Sequence, residues 1–240
     1  MIDTKRLTEW AVSQGGISAE AAEKLDAYAA LLVEWNQKMN LTAITDPEEM
    51  LVKHFADSLT LLPLLPETPC RLIDVGTGAG FPGVPLKVAR PALNITLLDS
   101  LNKRLVFLEA VCAALGIETA RVHARAEEGG RQAALRERFD VATARAVASL
   151  PTLCEYCLPF VKVGGVFLAM KGPDGHKEAQ NAAPAMELLG GKLKEVRSVT
   201  LPPLLGESAG ERCVVVIEKV APTPPRYPRQ SAKIAKEPLG

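Results

Sequence analysis

Aromatic residues make up only 5% of the 240-residue chain, the formal net charge is zero, and the five cysteines are odd in number and unevenly spaced. Such a cysteine set does not suggest a disulfide framework. Cys154 and Cys157 form a C-x-x-C, but no second pair or nearby histidine completes a zinc site, and both sit in an apolar helical pattern. They are expected to pack in the core, and no metal is expected. No apolar run approaches a membrane span, and the opening MIDTKRLTEW lacks the apolar core of a signal peptide. A soluble, cytoplasmic chain with no membrane partner is expected. Zero net charge offers no electrostatic case for nucleic acid, but its distribution is uneven. Residues 1–69 carry five basic and eleven acidic side chains, 70–220 carry nineteen and sixteen, and 221–240 carry four and one. The positive surplus fits a protein that meets a polyanion with one face, although a mildly uneven solvated surface looks the same.

Against these absences stands Leu72–Lys87, LIDVGTGAGFPGVPLK. Its apolar start suits a buried strand, and Gly76, Gly78, Gly80 and Gly83 allow backbone shapes and approaches that a side chain blocks. Pro82 and Pro85 suit the first turn of a following helix. Strand, glycine loop and helix start present backbone N–H groups to a ligand. The loop matches G-x-G-x-G, common in nucleoside-binding methyltransferase folds, and, in a shifted register, the dinucleotide pattern G-x-G-x-x-G. Asp74 favours the first, because a carboxylate can receive the amino group of S-adenosylmethionine but repels a pyrophosphate. The alternative is that Asp74 caps the loop.

Residues 4–62 read as helical, with a start at Ser18, a stop at Asn40 and a third helix from Asp46-Pro47 that carries His54 and Asp57 as surface neighbours. Taken alone, His54 reads as a structural histidine. From Cys70 strands and helices alternate, which predicts a parallel α/β sheet. NITLLDS ends at Asp99, placed to accept ribose hydroxyls in either cofactor class. Lys103 and Arg104 are expected to be solvated, with Phe107 and Leu108 facing the sheet. ARVHA delivers the backbone of Ala126 and Glu127 to the adenine pocket, and FDVATARA ends at Arg145, beside the crevice or in a plain salt bridge. Helices are expected from Ser149 to Val161 and near His176–Leu189. KEVRSVTL and ERCVVVIEKV, joined through Pro202, Pro203 and Gly206, predict an antiparallel hairpin at the sheet edge, where a dehydrogenase would add another βαβ unit. The expected organisation is an N-terminal helical lobe (1–69), a Rossmann-like α/β methyltransferase domain (70–220), and a basic, proline-rich tail (221–240) that is mobile unless a partner orders it.

Methyl transfer from a sulfonium needs alignment more than activation when the nucleophile is a neutral lone pair. ARAVASLP after the fourth strand is neither the Asn/Asp-Pro-Pro-aromatic turn that holds an exocyclic amine nor a Pro-Cys nucleophile. By elimination, a ring nitrogen such as guanine N7 remains. A nicotinamide dehydrogenase and a non-catalytic RNA-binding scaffold are the rival readings.

NLTAI at Asn40–Ile44, HFADSL at His54–Leu59, DVGTGAGFPGVPLK at Asp74–Lys87, LLDSLNKR at Leu97–Arg104, ARA at Ala144–Ala146 and RYPR at Arg226–Arg229 together resemble the ribosomal RNA small subunit methyltransferase G family, also called the glucose-inhibited division protein B family. The resemblance implies a class I S-adenosylmethionine-dependent fold and methylation of N7 of one guanine in 16S ribosomal RNA or the small subunit; a monomer is expected. It implies cofactor contacts at Gly76, Phe81, Ala126, Glu127 and Arg145, with Asp99 at the ribose, and the loop pattern itself adds Asp74, Gly78 and Gly80 to the expected cofactor-binding set. It also implies RNA-side or positioning roles for Asn40, His54, Asp57, Lys171 and Arg145, none acting as a general base. The tail departs from the family pattern at Ala232 and Ile234, which stand where relatives have glycine and proline.

Overall fold

The computed structural model describes residues 1–145, 148–204 and 210–239; Ala146 of the ARA motif and Gly206 of the hairpin connection lie outside the described residues. Asp3 starts α1 (Thr4–Ala11) by accepting the Arg6 N–H, and Ser18 starts α2 (Ala19–Met39) by accepting that of Ala21. Each side chain satisfies an N–H that has no intrahelical acceptor. Asn40 ends α2 with φ 49°, a left-handed conformation that asparagine tolerates. Asp46 accepts from the N–H groups of Glu48 and Glu49 and Pro47 takes the first position, which starts α3 (Pro47–Met50). The helix continues through a π-helical stretch, Leu51–Ala56, into α4 (Asp57–Leu59).

Strands and helices then alternate: β1 (Arg71–Val75), α5 (Gly83–Ala89), β2 (Asn94–Asp99), α6 (Asn102–Leu115), β3 (Ala120–His123), α7 (Ala126–Gly129), β4 (Phe139–Arg145), α8 (Leu150–Cys157) and β5 (Val161–Lys171). The helix expected to reach Val161 gives way to a 3-10 turn at Leu158–Phe160, and Val161 already belongs to β5. The single helix expected near His176–Leu189 is two, α9 (Gly175–Asn181) and α10 (Ala183–Leu188). Pro184 is the reason: without an N–H it cannot continue α9 but fits the first turn of α10. β6 (Gly191–Thr200), β7 (Glu211–Lys219) and α11 (Ser231–Lys236) complete the chain.

The seven strands lie in the order β3-β2-β1-β4-β5-β7-β6. β1 to β5 are mutually parallel, and β7 runs antiparallel to both β5 and β6. The expected edge hairpin is present, with β7 inserted between β5 and the edge strand β6.

Alternation along the strands builds two cores. Leu72, Leu97, Val141, Val214 and Val216 pack on one face with the N-terminal helices, α5 and α6. Ile73, Val75, Leu98, Ala142, Val215 and Ile217 pack on the other with α8 and α10. Cys154 and Cys157 are free thiols inside this second core. Phe107 faces the helical lobe rather than the sheet alone, 5.6 Å from the Trp35 ring and 6.4 Å from that of Tyr28. The N-terminal helices therefore share a core with the sheet.

The tail is not loose. Tyr227 and Ile234 are buried, and Arg229 makes a buried ion pair with Glu155 of α8. Ile234 anchors α11 by burial. The composition that predicted mobility missed these long-range partners.

Candidate active site

The glycine loop is pinned to the end of β2: the N–H groups of Gly76 and Thr77 both donate to the Leu98 carbonyl, at 2.9 and 3.0 Å. Two of its glycines serve different ends. Gly78 has φ +60°, and a Cβ there would meet nothing closer than 4.0 Å, so the space above it stays open. Gly80 has φ +100°, and a Cβ would fall 2.6 Å from the Tyr28 hydroxyl and 2.7 Å from Leu108, so its role is close packing against the helical lobe. Tyr28 also hydrogen-bonds the Ala79 carbonyl. Phe81 is sandwiched between His54 and Tyr28, with ring centroids 4.4 and 5.2 Å away.

Asp74 is fully buried beneath this loop. Its Oδ2 accepts from the Thr77 hydroxyl at 2.7 Å and the Gly83 N–H at 2.9 Å, so the loop-capping reading is realised. Its Oδ1 has no hydrogen-bond partner among the described residues. Burial pushes the carboxyl up to about 6, against the pull of its two hydrogen bonds.

At the carboxyl ends of the parallel strands a cavity of about 390 Å³ is lined by Gly76, Gly78, Asp99, Arg104, Ala126, Glu127, Arg145, Leu153 and Tyr156, among others. That is the size and place of a small-molecule site in an open α/β sheet. The buried Asp99 carboxylate accepts from the Gly78 N–H and the Leu101 N–H, each at 2.9 Å. Arg104 is not merely solvated: it reaches back to Asp99 Oδ2 at 3.2 Å. Ala126 and Glu127 form the first turn of α7, and the Glu127 side chain is turned to Arg125 Nε at 2.7 Å.

A second cavity, about 490 Å³, is lined by Lys53, His54, Asp57, Arg145, Met170, Lys171, Glu178 and Arg212, among others. Sheet register gathers its far wall: Arg145 pairs with Met170, and Lys171 with Cys213, next to Arg212. Arg145 lines both cavities. Its Nη1 donates to the Lys53 carbonyl at 2.9 Å and to Asp57 Oδ2 at 3.0 Å, and its guanidinium lies 5.0 Å from the centroid of Phe81. Arg212 Nε lies 3.5 Å from the other Asp57 oxygen. Burial raises the Asp57 carboxyl despite both arginines. Lys171 Nζ is held by Glu178 at 2.7 Å and the Ala148 carbonyl at 2.8 Å.

His54 is neutral here. Arg145 Nη2, always a donor, faces its Nδ1 at 3.3 Å, which assigns the proton to Nε2, 2.9 Å from the Thr42 hydroxyl. Burial, then the Arg145 charge, lower its pKa to about 3. The unfolded chain binds a proton at this residue below pH 6.5, whereas the folded one resists down to about 3, so His54 subtracts stability as pH falls through that window. The stability difference between the native chain and His54→Gln, from urea unfolding, is expected to move in the variant's favour between pH 7 and 4, by up to ~1.4 kcal/mol per pH unit. A pH-independent difference would contradict a neutral His54. Asp74 acts in the opposite direction in both proteins, since its raised carboxyl adds stability as pH falls, and so cancels from the comparison.

The family model for rRNA small subunit methyltransferase G matches residues 21–204. The chain belongs to that family. It is 50% identical over 237 residues to ribosomal RNA small subunit methyltransferase G of Acetivibrio thermocellus, covering 98% of this chain and 96% of the relative. It is 45% identical to that of Brevibacillus brevis, covering 98% of each. Among solved structures, a 16S rRNA (adenine(1408)-N(1))-methyltransferase from Catenulisporales acidiphilia superposes with a TM-score of 0.52 at 18% identity, over 65% of this chain and 90% of that one. The fold is that of the Rossmann-like class I methyltransferases.

The sequence-derived candidates therefore separate. Gly76, Gly78, Asp99, Ala126, Glu127 and Arg145 line the first cavity, and His54, Asp57, Lys171 and Arg145 the second. Asp74, Gly80 and Phe81, expected at the cofactor, are buried and line neither cavity. Asn40 serves as the left-handed end of α2, while its neighbour Asn36 accepts from the Leu41 and Thr42 N–H groups and so places Thr42 at His54. Arg104, Tyr156, Glu178 and Arg212 were missed. Only Arg104 carried a sequence signal, standing in the first turn of the helix after Asp99.

Proposed function

We propose that this member of the family transfers the methyl group of S-adenosylmethionine to N7 of one guanine in bacterial 16S ribosomal RNA. Arg145, as the shared wall of two cavities, is the observation that carries the reading: one cavity has the position and lining of an adenosyl site, the other is rich in cations. The residues fit the cofactor on two counts. Gly78 lines the first cavity and any Cβ there would fill the space above the loop, and the buried Asp99 carboxylate also lines that cavity and can accept hydroxyls. The sulfonium supplies an already activated methyl.

The chain's own residues then have to bind and orient. Asp99 would accept ribose hydroxyls once Arg104 yields its place, and Ala126 and Glu127, in the first turn of α7, would hold the adenine side of the cavity. In the second cavity, Lys53, Arg145, Lys171 and Arg212 outnumber Asp57 and Glu178, which suits an RNA phosphate beside the target base. Among the described residues, no side chain there is a ready general base. His54 accepts from Arg145, Asp57 is held by two guanidiniums, and Lys171 is tied to Glu178. A site that positions and does not deprotonate suits a nucleophile with a free lone pair, as guanine N7 has. The guanine is taken out of its stack and read through edges other than N7. We read the chain as a monomer acting in the cytoplasm, where ribosomal RNA is made.

Labelled methyl transfer to small subunits from cells that lack this activity, followed by mapping of the base, tests the reading. A single N7-methylguanine in 16S RNA is expected. Transfer to another atom, or none to either naked RNA or subunits, would refute it.

A further inference from the structure

We infer that the C-terminal segment is a strap that sets the position of α7 and α8, two walls of the first cavity, and that Glu155 is the positioning residue through which it acts. This rests on the reading of that cavity as the cofactor site. Arg136 joins the segment to the end of α7: its Nη1 donates to the Gly130 carbonyl at 3.0 Å and the Tyr227 carbonyl at 2.9 Å, and its Nη2 to that of Thr223 at 2.7 Å. The fully buried Lys219 ammonium donates to the Thr223 hydroxyl at 2.8 Å and to Glu137 at 3.0 Å. Pro228 lies against Gly130, where a Cβ would stand 3.2 Å from its ring.

On α8 the contact is a charge pair. Glu155 is fully buried; its Oε1 accepts from the Arg229 backbone N–H at 2.7 Å and Nε at 2.9 Å, and its Oε2 from Nη2 at 2.6 Å. Such a forked pair fixes direction as well as distance. One residue further along α8 stands Tyr156, a cavity wall beside Ser231 at the start of α11. Ser231 also accepts from Arg125 Nη2 at 2.8 Å, and Arg125 lines the same cavity. The segment thus bonds directly to one lining residue, Arg125, and grips the elements that carry four others: Ala126, Glu127, Leu153 and Tyr156.

Short helices need such outside support. α7 has four residues and α8 eight, lengths at which a helix is not stable alone in water. Their positions are therefore set by what they pack against, and on the outer side that is the strap.

The test uses the full chain, with titration calorimetry of S-adenosylhomocysteine and steady-state methylation. Glu155→Gln keeps the size but loses the charge pair. Its KM for the cofactor is expected to rise at least 10-fold, with kcat at saturating cofactor within 3-fold and KM for RNA unchanged. Ser231→Ala removes only a half-buried hydroxyl and is expected to raise cofactor KM about 3-fold with Tm unchanged, so it serves if Glu155→Gln fails to fold. Arg229→Lys, which keeps charge but not the fork, should fall between native and Glu155→Gln. Unchanged cofactor KM in the variants, or equal losses in all parameters that track a lower Tm, would overturn the strap. Failure of the native chain to bind S-adenosylhomocysteine would instead overturn the cofactor reading.

Discussion

Arg145→Ala is expected to lower methyl transfer by at least ~100-fold at saturating cofactor, close to 3 kcal/mol of transition-state stabilisation. Three losses combine. The guanidinium leaves the wall common to both cavities, the Lys53 carbonyl and His54 Nδ1 lose their donor, and Asp57 keeps only Arg212 at 3.5 Å. Removing one partner of a buried pair also destabilises, typically by about 3–5 kcal/mol for a fully buried one, so the Tm of this variant should fall. Arg145→Lys separates the two effects. A lysine restores charge beside Asp57 but cannot span Lys53, Asp57 and His54 at once, because it is a point donor and not a planar fork. Stability should largely return while transfer stays well below native. If Arg145→Ala binds cofactor and methylates within 3-fold of the native rate, the two-cavity mechanism is wrong.

Gly80→Ala should cost about 2–6 kcal/mol of folding stability by urea denaturation. At φ +100° an alanine is strained, which alone is worth on the order of 1–3 kcal/mol. The added methyl would also stand 2.6 Å from the Tyr28 hydroxyl, 2.7 Å from Leu108 and 2.9 Å from Val84, and overpacking of this kind costs about 1–3 kcal/mol more. Gly78→Ala gives the contrast. It carries backbone strain at φ +60° but meets no atom within contact distance, so it should lose less stability and, by filling the space above the loop, more cofactor affinity. Equal stability losses for the two variants would mean that Gly80 is not a packing position.

Much of the fold was legible because its signals are local. The strand LIDV, the loop glycines, the caps Ser18 and Asp46 and the stop at Asn40 each act within a few residues, through side-chain alternation, hydrogen-bonding reach or tolerance of positive φ. Asp99 and Ala126–Glu127 were legible too, since the ends of parallel strands are where such a sheet leaves a crevice. Pro184 was equally visible, and the break it causes could have been placed.

The rest depends on partners far apart in the chain. Arg145 meets Asp57 and Lys53 across 88 and 92 residues, and Arg229 meets Glu155 across 74. No spacing encodes these pairs, so a basic tail read as mobile turns out docked. A glycine motif likewise does not say which member faces ligand and which faces a tyrosine; Gly80 and Phe81 belong to the packing of the helical lobe because Tyr28 and His54 happen to reach them. By itself the sequence determined the element order, the parallel sheet with its terminal hairpin, and the chemistry of the loop. Only the tertiary structure decided that Arg145 separates two cavities and that the tail braces one of them, because those facts are side-chain geometries created when distant strands and helices pack.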